Sequence, residues 1–256
     1  MIENILITGA TSGLGYALAK RFADLNCKIY AVGRNEVKLA ELAAYSEKIQ
    51  SIHADINNAL DRASICNQII PNEPISIIHN AALAEPCILA ETTESELLNN
   101  FQTNCISPTL LTKELLPHLQ QGQRVLNISS GAAEIALPGL SAYCGTKAAF
   151  QMMMSCFNVE LAEKHICFAN LRPGMVDTPL QKRWRETNRF FPNQEVYINA
   201  EKDNKLIQPH IAAKFISWVL LNTEDEDFKN KKWNIYDETD QAEWLKSDNL
   251  YQLKAV

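Results

Sequence analysis

Two tyrosine–lysine pairs in the sequence have a spacing that acid–base chemistry could use. Each lysine follows its tyrosine by four residues, in Tyr143 and Lys147 and in Tyr16 and Lys20. Positions four apart share one face of a helix, so the phenol and the ammonium point the same way. A free phenol has a pKa of about 10, and a nearby ammonium lowers that pKa because it favours the phenolate. Only Tyr143 also has a serine upstream at the end of a predicted strand, Ser130, so we interpret the Tyr16 pair as a decoy.

The N-terminal stretch has the pattern of a turn that binds a phosphate. Residues 5–7 are apolar without alternation, as in a buried parallel strand, and an apolar helical stripe follows the glycines Gly9, Gly13 and Gly15. Glycine lets the backbone take a positive φ and lets a ligand come close. The free N–H groups at the start of the next helix favour a phosphate. A connection without a ligand is the alternative, and three glycines in one turn argue against it.

Strands and helices alternate along the chain, which predicts how these residues are positioned. We expect strands at residues 5–7, 28–32, 49–54, 75–79, 124–128, 166–171 and 232–236. We expect helices at residues 36–47, 59–70, 93–119, from 143 onwards and at 209–222, with an acidic turn at 223–227. The pattern predicts an α/β fold, a Rossmann-type doubly wound sheet of seven parallel strands with helices on both faces. We expect one domain over residues 1–237 and assign no structure to the tail, 238–256.

One of the predicted helices, at residues 93–119, carries its own start and break signals. Thr93 and Glu96 have the spacing of a capping box. Pro108 should kink or break the helix locally, because proline has no N–H to donate.

Composition limits the class of protein. The chain has 256 residues, of which 46% are hydrophobic and 21% charged, as in one globular domain. Its net charge of −6 does not favour nucleic acid, and it has no apolar stretch long enough for a membrane span. The seven cysteines and five histidines are scattered, which predicts reduced thiols and no metal site. Because the first strand begins near the N-terminus, we expect no signal peptide and a cytoplasmic protein.

The glycine spacing, Gly-x-x-x-Gly-x-Gly after Thr8, resembles that of the short-chain dehydrogenase/reductase family. Asn104, Ser130, Tyr143 and Lys147 match the family's Asn-Ser-Tyr-Lys tetrad in order and spacing. The resemblance covers residues 2 to 237, and its C-terminal part is most similar to the sepiapterin reductase-like and benzil reductase-like branch. Asn234 stands where sepiapterin reductases have an acidic pterin anchor, which argues against a pterin substrate.

This resemblance implies an NADPH-dependent reduction of an aldehyde or ketone to an alcohol, or the reverse. Tyr143 would donate the proton and Ser130 would hydrogen-bond the carbonyl oxygen. Lys147 would lower the pKa of Tyr143, together with the positive nicotinamidium, and hold the nicotinamide ribose. Asn104 would position a water that relays protons to Lys147.

The resemblance also implies a set of cofactor-binding residues. They are Gly9, Thr11, Ser12, Gly13, Leu14, Gly15, Arg34, Asp55, Ile56, Asn80, Ala81, Tyr143, Lys147, Pro173, Gly174, Val176 and Thr178. Dinucleotide folds place an acidic residue at the end of the second strand for the ribose 2′-hydroxyl, or an arginine for a 2′-phosphate. Here Gly33 and Arg34 occupy that place, which predicts NADP(H) in preference to NAD(H). A solvated surface arginine is the alternative.

Asp55 has a second interpretation, and the motif around Asn80 and Ala81 matches the family only at its centre. Asp55 matches an aspartate that contacts the adenine, although a turn or helix N-cap would also explain it. Asn80 and Ala81 match the centre of the family's Asn-Asn-Ala-Gly, whereas His79 and Ala82 depart from its ends.

Residues 180–208 have weak periodicity and mixed content. A long irregular insertion is often an active-site lid, and a surface helix whose aromatic residues pack beneath it is the alternative. The substrate cannot be read from the sequence, because this segment contributes the pocket wall.

Family members often pair through the helix that bears the tyrosine, and the three consecutive methionines at 152–154 fit a subunit contact. We therefore expect a homodimer or homotetramer.

The rival function is a non-catalytic NADP-binding sensor or scaffold on the same fold, which would not need Ser130 and Asn104. A sugar-nucleotide epimerase is disfavoured by the glycine spacing.

Overall fold

Seven parallel strands form one sheet in a computed structural model that describes residues 4–69 and 73–245. The strands are β1 (Asn4–Thr8), β2 (Lys28–Gly33), β3 (Ile49–His53), β4 (Ser76–His79), β5 (Arg124–Ile128), β6 (Cys167–Arg172) and β7 (Trp233–Asn234). Their order is β3-β2-β1-β4-β5-β6-β7, and every neighbouring pair is parallel. From β1 to β3 successive strands are added on one side of β1, and from β4 to β7 they are added on the other side. Folds of this kind bind ligands where the order reverses, between β1 and β4. The predicted fold class is confirmed.

Helices connect these strands. They are α1 (Gly13–Asp24), α2 (Glu36–Tyr45), α3 (Ala59–Gln68), α4 (Glu94–Phe101), α5 (Ser107–Leu115), α6 (Ser141–Glu160), α7 (Pro179–Glu186), α8 (Gln194–Lys202), α9 (Pro209–Asn222), α10 (Asp225–Asn230) and α11 (Glu238–Trp244). A π-helical turn, Gln102–Ile106, joins α4 to α5, and short 3₁₀ turns lie at Leu89–Glu91, Leu116–His118, Gly131–Ala133 and Ala162–Lys164.

The sheet is buried on both faces, which explains the unbroken apolar runs of its strands. Ile5 and Ile7 of β1 pack with α1 and α9 on one face, whereas Leu6 packs on the other with α5 and α6. All three side chains are fully buried. A strand covered on both sides needs apolar residues at every position, so continuous rather than alternating hydrophobicity is the expected sequence pattern.

The long helix predicted at residues 93–119 begins and breaks as expected. Thr93 and Glu96 form both hydrogen bonds of the capping box. The π-helical turn lies immediately before Pro108, where the α-helical pattern fails because residue 108 has no N–H to donate to the carbonyl of Asn104. Asn104 therefore lies at a local break in the helix.

The C-terminal third differs from the expectations at four places. Residues 180–208 contain α7 and α8, and aromatic residues of the segment are buried, so the irregular insertion is wrong and the alternative of a helix with aromatic residues packed beneath it describes the segment better. The acidic turn at 223–227 is mostly the first turn of α10. The last strand, β7, has only two residues. The tail predicted to begin at residue 238 starts as α11, whose Trp244 is buried against Phe215 of α9. Tail residues 246–256 lie outside the described residues, as do residues 1–3 and 70–72 of the predicted domain.

Candidate active site

A cleft of about 880 Å³ opens at the carboxyl ends of β1, β4, β5 and β6. Because the strands are parallel, the loops that follow them converge at this edge of the sheet. All the sequence-predicted site residues line the cleft except Gly15 and Asn104.

The glycine turn needs its glycines for different reasons. Gly9 and Gly13 have positive φ, at 67° and 49°, which other residues rarely adopt. A Cβ on Gly15 would lie 2.3 Å from the carbonyl oxygen of Gly9 and 2.5 Å from Nδ2 of Asn80. Gly15, predicted to bind the cofactor, thus lies behind the turn and lets α1 start close to the end of β4.

Thr8 and Asn80 join the ends of β1 and β4. The Thr8 hydroxyl accepts hydrogen bonds from the backbone N–H groups of Asn80 and Ala81, both at 3.1 Å, and Asn80 Nδ2 donates to the carbonyl of Thr8 at 3.0 Å. Sequence reasoning did not count Thr8 as a site residue, although a hydroxyl just before the first glycine was its signal. Ala82 has a negative φ, so the alanine that replaces the family's glycine at this position causes no backbone strain.

Ser130, Tyr143 and Lys147 meet in the cleft. Ser130 follows β5 and its hydroxyl accepts from the N–H of Ala132 at 3.2 Å, while α6 carries the other two side chains, which are both buried. A hydrogen bond from Ser130 favours the Tyr143 phenolate. Lys147 Nζ donates to the carbonyl of Ile128 at 2.7 Å and lies 5.7 Å from the centre of the Tyr143 ring.

Burial controls the protonation of both α6 side chains. It raises the pKa of Tyr143 to about 12, outweighing the opposing effect of Ser130, and it lowers the pKa of Lys147 to about 8. Among the protein's own groups the net shift of the Tyr143 pKa is therefore upward, and its lowering by Lys147 together with the nicotinamidium stays a prediction. The four-residue spacing predicts that the two side chains point the same way. It does not predict how deeply the phenol is buried.

Asn104 lies beneath the cleft and connects two of its walls. Its Oδ1 accepts from the N–H of Leu83, and its Nδ2 donates to the carbonyl of Leu83, both at 2.7 Å. Nδ2 also donates to Thr146 Oγ1 at 3.0 Å, and that hydroxyl donates to the carbonyl of Tyr143. The Asn104 amide thus fixes the loop after β4 to the first turns of α6, and sequence reasoning missed Thr146 as the link.

The predicted adenosine end of the cleft contains an ion pair. Arg34 Nη1 lies 3.3 Å from Asp55 Oδ2, and the Arg34 side chain is 75% exposed. Asp55 Oδ1 also accepts from the N–H of Asn57, as in a turn. Ile56 and Thr11 line the cleft beside them.

The loop after β6 faces the glycine turn. It contains Pro173, Gly174 with a φ of 79°, and Val176, which pairs with Ile207 in an isolated parallel bridge. Thr178 caps α7 by accepting from the N–H of Gln181, and a Cβ on Gly13 would lie 3.1 Å from the Thr178 side chain. Ser12 and Leu14 line the cleft across from this loop.

Aromatic side chains of α7 and α8 close one wall of the cleft. Trp184 packs edge-on against Tyr143, with ring centres 5.7 Å apart, and its Nε1 donates to the carbonyl of Ala84 at 2.7 Å. Tyr197 and Phe191 complete this cluster and are also buried. Sequence reasoning considered Trp184 and Phe191 for this wall but missed Tyr197, because the segment gave no helical period to place it.

The decoy pair lies elsewhere. Tyr16 hydrogen-bonds Glu41 at 3.3 Å at the surface, and Lys20 lies over the ring of Tyr45. Neither Tyr16 nor Lys20 lines the cleft.

The described part of the chain also bears on metal binding and on insertion into a membrane. It contains no group of three or more histidine, cysteine or acidic residues that could hold a metal ion. None of its helices combines the length and the apolar character that crossing a membrane requires.

Comparison with known proteins places the chain in a family. The model of the short chain dehydrogenase family matches residues 3–189. A benzil reductase ((S)-benzoin forming) from Bacillus cereus is 32% identical over 238 residues, which are 86% of this chain and 94% of that protein.

Two solved structures share the fold. A short-chain dehydrogenase/reductase from Saccharomyces cerevisiae has a TM-score of 0.86 at 21% identity, covering 94% of this chain and 98% of its own. A 3-ketoacyl-(acyl-carrier-protein) reductase from Brucella melitensis, complexed with NADH, has a TM-score of 0.75 at 21% identity, covering 91% and 96%. The resemblance seen in the sequence, including its benzil reductase-like branch, is confirmed. The chain belongs to the short-chain dehydrogenase/reductase family and is an NAD(P)-dependent oxidoreductase.

Proposed function

We propose that the protein reduces an aldehyde or ketone to an alcohol with NADPH, with Tyr143 as the general acid. The observation that carries this proposal is the meeting of Ser130 and Tyr143 in the cleft, with Lys147 buried beside them. The reverse oxidation would use the same groups in the opposite order. A non-catalytic protein that only binds NADP(H) is the alternative, and the experiment below separates the two.

The cleft fits a dinucleotide. A Cβ on Gly9 would lie 2.9 Å from Cα of Ala81, so glycine at this position lets the turn pack closely against the loop after β4. We propose that Thr11, Ser12 and Leu14 at the start of α1 hold the phosphates, with Gly9 and Gly13 shaping the turn. When bound, the nicotinamide supplies the hydride.

Further residues complete the proposed cofactor site, each in a part of the cleft already described. Arg34 would hold the 2′-phosphate, Asp55 and Ile56 the adenine, and Asn80 and Ala81 the nearby ribose. Pro173, Gly174, Val176 and Thr178 would hold the nicotinamide end, and Lys147 its ribose. Gly15 would act only by allowing α1 to pack closely.

The protonation states suit the reduction direction. With a pKa of about 12, Tyr143 carries its proton at neutral pH and can donate it to a carbonyl oxygen that also receives a hydrogen bond from Ser130. Lys147, with a pKa of about 8, can return a proton to the phenolate that forms. We propose that Asn104 supports this relay through its backbone carbonyl, because both donors of its side-chain amide are used by Leu83 and Thr146, its Oδ1 accepts from Leu83, and residue 108 cannot donate to that carbonyl.

Aryl ketones are the substrate class to test first. The wall opposite the glycine turn is formed by the Tyr143, Trp184 and Tyr197 rings and by the apolar Ile135 and Leu137. The similar Bacillus cereus protein is named for benzil, an aryl diketone. Flat apolar substrates would replace water on this wall, which favours their binding.

The experiment is to screen aryl ketones and aldehydes for NADPH oxidation with the unmodified protein and with Tyr143→Phe. The substitution removes one hydroxyl and keeps the ring, so turnover should fall by about 10²–10⁴, the usual contribution of general acid catalysis. NADPH affinity, measured by fluorescence titration, should change less than threefold. Tyr16→Phe is the control and should keep turnover within about twofold. Full activity in Tyr143→Phe would exclude Tyr143 as the acid, and binding of NADPH without any turnover would favour the sensor.

Three further proposals concern the whole protein. We propose that residues 180–208 act as a lid, that the chain forms a homodimer or homotetramer, and that it works in the cytoplasm. The last is supported by seven cysteines that are all free.

A further inference from the structure

Arg172, the last residue of β6, brings a cation to the cleft beside Ser130. Its Nη1 donates to Glu134 Oε2 at 3.2 Å, whereas its Nη2 would lie only 2.9 Å from a Cβ placed on Gly131. Gly131 follows Ser130 directly and lines the cleft, and Glu134 does not line it. One nitrogen of the guanidinium is therefore held by a carboxylate outside the cleft. Another lies over the backbone next to the hydroxyl proposed to bind the carbonyl oxygen.

Glu134 does not fully neutralise this cation. Lys232 Nζ lies 3.4 Å from its other oxygen, Oε1, so one carboxylate is shared between two cations and the three groups together carry one positive charge. Among the described residues that line the cleft, the only carboxylate is that of Asp55, which pairs with Arg34 at the adenosine end. The catalytic end of the cleft therefore carries a positive charge that favours an anion.

Two further donors border the cleft next to Arg172. Asn234 of β7 is its register partner, so the two side chains lie on the same face of the sheet. Asn234 Oδ1 accepts from the N–H of Tyr236 at 3.3 Å, and the Tyr236 hydroxyl accepts from the N–H of Met175 at 3.0 Å. Within the described ranges no acceptor bonds the Asn234 amide nitrogen, the Tyr236 O–H or Arg172 Nη2. Three donors without an acceptor suit a group that only accepts hydrogen bonds.

Tyr236 keeps its proton at neutral pH and can act as one of these donors. Burial raises its pKa, and the Met175 N–H and the positive charge of Arg172 only partly offset that rise. The effect of Arg172 also places the phenol within electrostatic reach of the guanidinium. Arg183, which lines the cleft near the aromatic wall, is paired one-to-one with Glu85 at 3.1 Å and is less suited to an anion.

We propose that Arg172, Asn234 and Tyr236 bind a carboxylate of the substrate, so that the preferred substrates are aryl oxo acids with the carboxylate a few atoms from the ketone. The planar guanidinium suits the two oxygens of a carboxylate. The ketone carbon gains a hydride from NADPH and its oxygen gains the proton of Tyr143, while the carboxylate is unchanged. The product is a hydroxy acid, and NADP⁺ is released. This inference rests on the proposed reductase function.

The test compares 4-oxo-4-phenylbutanoate with its methyl ester, which has the same ketone and carbon chain but no charge. In the unmodified protein we expect kcat/KM for the acid to exceed that for the ester about tenfold. Arg172→Gln should lower kcat/KM for the acid at least about tenfold, as for loss of a charge-assisted hydrogen bond, and keep the value for the ester within about threefold. NADPH affinity, measured by fluorescence titration, should stay within twofold.

Lys232→Gln is the matched control. It removes the same charge from the same partner, Glu134, but its side chain is 87% exposed and does not line the cleft. All the values should stay within twofold. A fall for the acid as large as that in Arg172→Gln would show that general electrostatics, and not a contact with Arg172, is responsible.

Three other results with an active protein would overturn the proposal. Equal kcat/KM for the acid and the ester in the unmodified protein would show that no group recognises the carboxylate, and this result does not depend on the folding of any variant. An equal fall for both substrates in Arg172→Gln would show that the arginine only supports the site. Weakened NADPH binding in that variant would assign the arginine to the cofactor.

If the unmodified protein reduces neither compound, the proposed function fails and calorimetry decides the inference separately. The acid is then titrated into the unmodified protein and into Arg172→Gln in the presence of NADP⁺. Affinity at least about tenfold weaker in the variant supports a carboxylate site. Equal affinity, or no binding to the unmodified protein, overturns it.

Discussion

Burial acts on Tyr143 and Lys147 in opposite senses, and both effects favour the uncharged side chain. The phenol keeps its proton far above neutral pH, whereas the ammonium becomes easier to deprotonate. Lys147 is held by the carbonyl of Ile128, so it combines a structural contact at the end of β5 with its proposed chemistry. The titration of Lys147 therefore sets the upper pH limit of the proposed reaction.

We predict that NADPH-dependent reduction declines above about pH 8. The pKa of Lys147 is lowered from 10.5 to about 8, so its charge is lost as the pH rises through 8 and no longer persists to 10.5. An uncharged lysine cannot return a proton to the Tyr143 phenolate. The measurement is kcat/KM for a screened ketone from pH 6 to 10. Lys20→Met, in the decoy pair, should give the same profile, and a flat profile to pH 10 would contradict the assignment.

A second prediction at this scale concerns cofactor choice. NADPH should bind at least about tenfold better than NADH, which is about 1.4 kcal/mol and modest for a charge-assisted phosphate contact. Arg34→Ala should remove most of that preference. Its exposed pair with Asp55 contributes little to stability, so the melting temperature should hardly change.

The measurement for this prediction is the ratio of the Michaelis constants for the two cofactors. Arg189→Ala removes the same charge from a residue that does not line the cleft, and it should keep the ratio. Equal constants in the unmodified protein would rule out the role given to Arg34.

At the scale of elements, α7 and α8 form a wall that several contacts fasten to the loop after β4. Trp184 bonds the carbonyl of Ala84 and Arg183 pairs with Glu85, both in that loop, and Arg189, which lies between α7 and α8, pairs with Glu96 of α4 at 2.6 Å. The two charged pairs are substantially exposed and contribute modestly. The buried aromatic contacts therefore supply most of the attachment.

We predict that Trp184→Phe changes substrate preference while NADPH affinity stays within about threefold. The variant keeps an aromatic ring but loses the bond to Ala84, so the proposed lid should also be cut faster by a protease between α7 and α8, and less so with ligands bound. Trp218→Phe is the control, since Trp218 packs on Phe215 and Trp233 away from the cleft. Cleavage that is no faster there than elsewhere would argue against a lid.

The sequence predicts the bounds of helices and strands whose apolar residues follow a clear pattern, and it does not predict those whose pattern is weak. β5 and α9 have the predicted bounds, because an apolar run in one and an amphipathic period in the other reflect burial directly. The bounds of α7 and α8 were missed because α7 is strongly polar and the buried aromatic residues of this segment belong to a cluster assembled from distant parts of the chain. The catalytic spacing was readable, but the burial that sets the pKa of Tyr143 was not.

At the scale of the whole molecule, one apolar surface has no cover within the described chain. The helices α4 and α6 and the π-helical turn pack side by side, and each presents exposed apolar side chains. They are Leu98, Phe101, Ile106, Met152 and Val159. Exposed apolar side chains on helices that pack together favour association, which supports the proposed oligomer.

We predict that the protein is at least dimeric by light scattering at micromolar concentration, and that the double variant Ile106→Glu, Met152→Glu shifts it towards the monomer. Two charges would have to be buried in each copy of the interface, which is strongly unfavourable. Val37→Glu, at a 69% exposed site on α2, should leave the mass unchanged. A monomeric unmodified protein would overturn this interface.

The edge-on contact between Trp184 and Tyr143 ties the range of accepted substrates to the rate of the reaction. In many enzymes the wall of a pocket can vary freely while the reacting groups stay constant, so new specificities can evolve by single steps. Here a substitution of Trp184 that widens the cleft also removes part of the packing that holds Tyr197 and Tyr143, the proposed general acid, in place. Adaptation to bulkier substrates would therefore proceed through compensating pairs of substitutions, one in α7 and one in α8, and single-site libraries at Trp184 should yield mostly slow enzymes.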